Sequence, residues 1–281
     1  MAVVMKGAET AARMKKSLME ELTRLKQRGV EPKLGIIRVG TRPDDLSYER
    51  GALARFRELG IAAQVYEFPE DVEETTFFSK FAKIDASADV HGILLFRPLP
   101  KRLNEDKVRR SIHPLKDVDG MNPVNIAKVF AGESDGFAPC TPAAVMEMLA
   151  GVELAGKSVA VVGRSMVVGR PLAMLMVKRD ATVTICHTKT RNTAEICRAA
   201  DVVVAAVGKA GMLTSAFVSK KSIVLDVGIN VDKNGNLRGD VDYDAVAPRV
   251  SMISPVPGGV GAVTTSVLAS HVLRAASLLT A

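Results

Sequence analysis

The sequence predicts an α/β protein of two wound domains with a ligand cleft between them. Three observations carry this. Strand-like and helix-like segments alternate along the chain, a second such series begins after Cys140, and the apolar residues are overwhelmingly aliphatic. With 281 residues, 47% apolar and 25% charged, the chain is long enough for two modest cores. Aromatics make up 4% and Trp is absent, so Val, Ile, Leu, Ala and Met must fill those cores, which suits helices packed on sheets.

Taken in order, residues 8–28 form an amphipathic pattern with Met14, Leu18, Leu22 and Leu25 on one face. Pro32 stops that helix, and Leu34–Val39 reads as a strand. A helix over 47–59, ended by Gly60, precedes an extended Ala63–Phe68. Another helix near 73–87 leads to the apolar run Gly92–Phe96, which Pro98-Leu99-Pro100 closes because proline cannot continue a ladder. In the second series Thr141-Pro142 signals a helix start. The strands Ser158–Val162, Ala181–Cys186, Asp201–Val207 and Ser222–Val227 follow. A last helix, Val263–Leu279, comes after a glycine-rich loop and returns to the first domain. The boundaries are therefore 1–138 plus 264–281 for one domain and 139–263 for the other.

Composition narrows the function classes. The net charge of +7 is spread out, with no Lys/Arg block and no interleaved aromatics, which argues against nucleic acid and for small anionic ligands. Cys140, Cys186 and Cys197 show no C-x-x-C spacing and no leader precedes them, so a reducing cytoplasm is expected. No uninterrupted apolar run nears the ~18 residues of a membrane span. His91, His113, His187 and His271 lack ligand spacing, so no metal is expected. Cys140 reads as a buried structural thiol rather than a nucleophile.

The clearest local mechanism is the run from Val159 to Pro171. An apolar strand enters a turn at Gly163-Arg164-Ser165 and a helix starts at Gly169. Backbone N–H groups at such a helix start meet a pyrophosphate, and glycine lets the chain approach it. The Gly163-x5-Gly169 spacing departs from G-x-G-x-x-G, so a plain βα turn is the alternative. The second strand of this series ends in Cys186-His187-Thr188-Lys189, with no acid to hold a ribose 2′-hydroxyl. Arg164, Ser165, Thr188 and Lys189 instead offer charge and hydroxyls to a 2′-phosphate, which favours NADP over NAD; a solvated loop position is the alternative for Lys189.

With these residues in view, the chain resembles the methylenetetrahydrofolate dehydrogenase/cyclohydrolase family over nearly its whole length. The matching segments are Gly40–Pro43 with Tyr48, Gly92–Leu95, Pro98–Pro100, Lys116–Gly120, Pro139–Pro142, Val162–Ser165 with Val168–Pro171, Ala181–Thr184 with His187, Ala206–Lys209, Asp226–Asn230, Gly239–Val241 and Pro255–Gly261. The resemblance implies a folate-binding domain, an NADP-binding Rossmann domain and a homodimer. It implies that Tyr48 lines the pterin site and that Asp119 hydrogen-bonds the pterin's nitrogen edge, both as catalytic-site residues. Ala52, Phe96, Pro257, Gly258 and Gly259 would line the folate pocket. Gly163, Arg164, Ser165, Gly169 and Thr188 would meet the cofactor phosphates, with Val207, Gly208 and Ile229 near its sugars and base. On residue type alone, Asp119 also fits a capped surface turn, and Asp226 fits either a cofactor-facing or a backbone-capping acid.

Two departures stand out. The family's Tyr is followed four residues later by a catalytic Lys, where this chain has Ala52. The family's Gln beside that Lys is Phe96 here, and Arg97 replaces the usual Leu. Hydride transfer moves no proton, whereas hydrolysis of the amidinium product needs one taken and one given. The sequence reading is therefore a dehydrogenase with cyclohydrolase activity lost or weakened; a bifunctional enzyme and a non-catalytic folate- or NADP-binding paralogue are the alternatives. Arg97 fits either a ligand anion or solvent.

Overall fold

The computed structural model describes residues 2–281. In chain order the first elements are β1 (Val3–Val4), α1 (Gly7–Gln27), β2 (Lys33–Val39), α2 (Pro43–Leu59), β3 (Ala62–Phe68), α3 (Glu74–Ala86) and β4 (Gly92–Leu95). Then come α4 (Glu105–Ser111), α5 (Pro123–Ala131), α6 (Cys140–Met148), β5 (Ser158–Val162), α7 (Gly169–Val177) and β6 (Thr182–Cys186). The last are α8 (Thr193–Ala199), β7 (Val202–Ala205), β8 (Ile223–Asp226), β9 (Asn230–Val231), β10 (Leu237–Arg238), α9 (Tyr243–Val246), β11 (Met252–Ile253) and α10 (Thr264–Leu279).

The chain divides into two compact units, Arg13–Cys140 with Thr265–Ala281, and Met1–Ala12 with Thr141–Thr264. This differs from the division read from the sequence in its first twelve residues. The reason is β1, which pairs in parallel with β11 and so joins the sheet of the second unit. Two residues carry no periodicity, so that strand leaves no trace in the sequence pattern.

The Arg13–Cys140 unit holds a parallel three-stranded sheet in the order β3-β2-β4. Leu34, Ile36 and Ile37 of β2 are fully buried because a parallel strand flanked by helices is covered on both faces. Phe68, Phe77 and Phe81 cluster beneath it, with centroids 5.0 and 5.9 Å apart. The helix α2 begins at Pro43, earlier than the sequence reading of 47, since proline is preorganised for the first helical turn and Asp44 and Asp45 favour its dipole. Its buried stripe is Asp45, Glu49, Ala52, Phe56 and Leu59. Two acids in that stripe hide it from a hydrophobic pattern. Residues Val260–Leu279 are long and apolar enough to cross a membrane, but 56% of that window is buried, as in a core helix.

The other unit holds a six-stranded parallel sheet, β1-β11-β8-β7-β5-β6. From β5 the chain moves one way to β6, then crosses to the opposite side for β7, which makes a switch point at the strand ends of β5 and β7. Val202, Val203, Val204 and Ala205 are wholly buried in its centre. A separate hairpin pairs β9 with β10 in antiparallel fashion and leaves Val231 and Leu237 exposed.

Candidate functional site

In the Arg13–Cys140 unit the site forms where β4 leaves its sheet. The Phe96 N–H donates to the Ile37 carbonyl, the last rung of that edge, and Phe96 and Arg97 then turn out of the ladder. Tyr48, on the flank of α2, meets the Phe96 ring edge-on at 5.9 Å. Segment 116–119 runs beside β4 through the Ile93 N–H bond to the Lys116 carbonyl and an Ile93–Asp117 bridge. That places Asp119 at the same strand end, with its Oδ2 3.6 Å from Arg97 Nη2.

Each neighbour of Asp119 is fixed. Asp117 has no exposed surface and accepts from the Met121 and Asn122 N–H groups and the Asn125 side-chain amide. Burial raises its carboxyl above the usual range, against those hydrogen bonds. Gly120 has φ +64, and a Cβ there would lie 2.5 Å from the Phe137 carbonyl oxygen. The Cys140 N–H donates to Asp119 Oδ1 at 3.0 Å, and half-buried His271 Nδ1 donates to the Val118 carbonyl at 2.9 Å. Burial pushes the Cys140 thiol well above its ordinary value, so it serves packing rather than nucleophilic chemistry. Asp119 is thus neither buried nor a loose surface acid, at 22% side-chain exposure.

Ala52 differs from its expected place. It lies in the buried stripe of α2 with no exposed surface, so its methyl packs and offers nothing to a ligand. Phe96 is nearly buried at 9%, whereas Tyr48 is half-buried. Pro257, Gly258 and Gly259, read from the sequence as folate-pocket residues, belong to the other unit. There the Gly7 N–H donates to the Gly258 carbonyl, and a Cβ on Gly7 would lie 2.1 Å from the Gly259 oxygen.

In the second unit the residues expected to bind a cofactor gather at the carboxyl ends of the strands. Parallel pairing of Val162 with Cys186 brings the turn after β5 beside the turn after β6, and the Gly163 N–H donates to the Cys186 carbonyl. Arg164, Ser165, Thr188 and Lys189 are all exposed there. A Cβ on Gly163 would lie 2.1 Å from the Ala206 oxygen, and one on Gly169 2.0 Å from the Gly163 oxygen. Only glycines allow this close crossing of backbone at the start of α7. Next to it, Val207 and Gly208 follow β7, and Ile229 follows β8 at 67% exposure.

The sequence reading gave no role to the residue that holds the turn after β7. Asp240 is fully buried and accepts from the N–H groups of Val207, Gly208 and Lys209 and from the Asn230 side chain. Its acidity beside Gly239 in a β-rich stretch was the available signal. Asp226 takes the backbone-capping role: it accepts from the Gly228, Asp240 and Val241 N–H groups, and burial raises it to about 6. Among the described residues no group of three or more His, Cys, Asp or Glu is placed to hold a metal.

Comparison with known proteins agrees across both units. Residues 5–119 match the family described as tetrahydrofolate dehydrogenase/cyclohydrolase, catalytic domain, and residues 139–279 match its NAD(P)-binding domain. A curated relative from Clostridioides difficile, named bifunctional protein FolD, is 50% identical over 98% of this chain and 96% of its own. The crystal structure of a bifunctional FolD from Campylobacter jejuni has a TM-score of 0.95 at 35% identity, covering 99% of each chain. A FolD from Trypanosoma brucei, solved with NADP and an inhibitor, has a TM-score of 0.92 at 34% identity, covering 99% of this chain and 98% of its own.

Proposed function

Since the chain belongs to the tetrahydrofolate dehydrogenase/cyclohydrolase family, we propose that it is a bifunctional enzyme. It oxidises 5,10-methylenetetrahydrofolate with NADP⁺ and hydrolyses the methenyl product. This replaces the dehydrogenase-only expectation: relatives 44–50% identical over nearly the full chain carry the bifunctional name, and Ala52 alone does not outweigh them.

The observation that carries the oxidation step is the paired glycine crossing at Gly163 and Gly169 beside the basic, acid-free end of β6. Those residues fit a dinucleotide: N–H groups of the α7 start would hold the pyrophosphate, and Arg164, Ser165, Thr188 and Lys189 a 2′-phosphate, which supports NADP over NAD. Bound there, the dinucleotide supplies the hydride acceptor. Tyr48 and Phe96 form an apolar wall for a pterin ring, and Asp119 accepts from its aminopyrimidine N–H groups. Fixed alignment of this kind supplies much of a hydride-transfer rate, since no proton moves. In the hydrolysis step water adds to the methenyl carbon and the ring opens. That step proceeds here without a lysine four residues after Tyr48. A homodimer and a reducing, cytoplasmic setting complete the reading, supported by the exposed Val231 and Leu237 and by three buried free thiols.

The test supplies methylenetetrahydrofolate and NADP⁺ and follows NADPH and the methenyl species together. Stoichiometric NADPH with methenyl loss faster than in buffer is expected. NADPH with methenyl loss at the buffer rate would return the chain to a single-step dehydrogenase.

A further inference from the structure

We propose that Arg97 is a substrate-positioning residue that orients the pterin by acting through Asp119; this rests on the folate reading above. The chemistry of the pair is complementary to that ligand. An aminopyrimidine edge presents adjacent N–H donors, and an ionised carboxylate accepts them. Asp119 stands at the end of β4 beside Arg97, with only about a fifth of its side chain exposed, where an unaccompanied carboxylate would lack both compensating charge and a fixed plane. Arg97 supplies both. Its Nη2 lies 3.6 Å from Oδ2 while the Cys140 N–H holds Oδ1 at 3.0 Å, so each oxygen has its own partner.

Arg97 itself is anchored. Arg42 grips Asp45 through Nε at 2.9 Å and Nη2 at 2.8 Å, and the same Nη2 donates to the Arg97 carbonyl at 2.8 Å. Asp45 lies in the buried stripe of α2, so the anchor reaches into the core of the unit. An ordinary surface pair contributes little because both side chains wander. Here backbone position and carboxylate are both held, and each partner is only about a fifth exposed. Among the described residues Arg97 is the cation paired to this acid, and the ring pair at the same strand end, Tyr48 and Phe96, is uncharged.

The experiment uses the full-length protein and the variants Arg97→Leu, Arg97→Lys, Asp119→Asn and the Leu/Asn double variant, with KM and kcat read from NADPH formation. Arg97→Leu should raise KM for methylenetetrahydrofolate about tenfold, with kcat changed less than about twofold and KM for NADP⁺ unmoved. Arg97→Lys should recover most of that loss. In the Asp119→Asn background Arg97→Leu should cost nothing more. Additive losses in the double variant, or an unchanged KM in Arg97→Leu, would overturn the proposal. If Arg97→Leu fails to fold, Arg42→Met releases the anchored carbonyl and should raise the same KM about threefold; an unchanged KM there counts equally against it. Calorimetric binding of tetrahydrofolate separates this from the wider reading. A wild-type chain that binds tetrahydrofolate but makes no NADPH refutes the proposed activity, and the same order of affinities still decides Arg97. A chain that does not bind it refutes both.

Discussion

Arg38 is 4% exposed, and its guanidinium meets Glu49 at 2.8 Å, Glu67 at 2.9 Å and the Gly40 carbonyl. Glu49 lies in the same buried stripe as Ala52, one turn before it. The stripe therefore runs from two paired acids into Ala52, Phe56 and Leu59, and the small residue at 52 belongs to the packing of α2. Removing one partner of a buried pair strands the other charge. Glu49→Leu should cost about 2–3 kcal/mol, less than a full stranding because Glu67 remains. Urea unfolding measures it, and a loss below about 1 kcal/mol would show that Glu67 alone satisfies Arg38.

At the scale of elements, the β5–α7 connection is the most constrained piece of chain. Gly163 sits at φ +136, where other residues are strained whatever the space, so its substitution mixes two effects. Gly169 has no such φ and isolates the crossing itself: its Cβ would lie 2.0 Å from the Gly163 oxygen. Gly169→Ala should push the turn away from α7 and weaken NADP⁺ binding at least about tenfold, with a smaller effect on tetrahydrofolate binding. Fluorescence titration of each ligand provides the check. Equal weakening of both would point to general unfolding of the unit. This connection was readable from the sequence because a buried parallel strand is an apolar run, and Gly163 and Gly169 mark where it must turn. The strands β1, β9, β10 and β11 were not readable, since two residues hold no period.

Across the whole molecule, two buried groups make acid stability a difference of opposing slopes. Burial holds His271 near 4, below its ordinary 6.5, so the unfolded chain takes up the proton first and stability falls as pH drops from 6.5 toward 4. Burial raises Asp226 to about 6 from 3.8, so the folded chain keeps that proton longer and stability falls as pH rises from about 4 to 6. The two contributions oppose each other over the same window although the residues belong to different units. Relative to the wild type, Asp226→Asn should steepen the gain in Tm from pH 4 to 6, and His271→Gln should flatten or reverse it. Identical slopes in all three proteins would remove both groups from the account.

The residues themselves determined the wound α/β class, the long strands, the phosphate turn and the family, because each rests on short-range pattern: apolar runs, glycine spacing, proline stops. Tertiary structure alone decided that Val3 and Val4 join the second sheet, that Ala52 is interior, and that Arg97 stands against Asp119 across 22 positions of sequence. Such facts arise from which surfaces meet when strands pair and helices cover them. Local pattern carries no record of that choice, because burial and long-range ion pairing come into being only on packing.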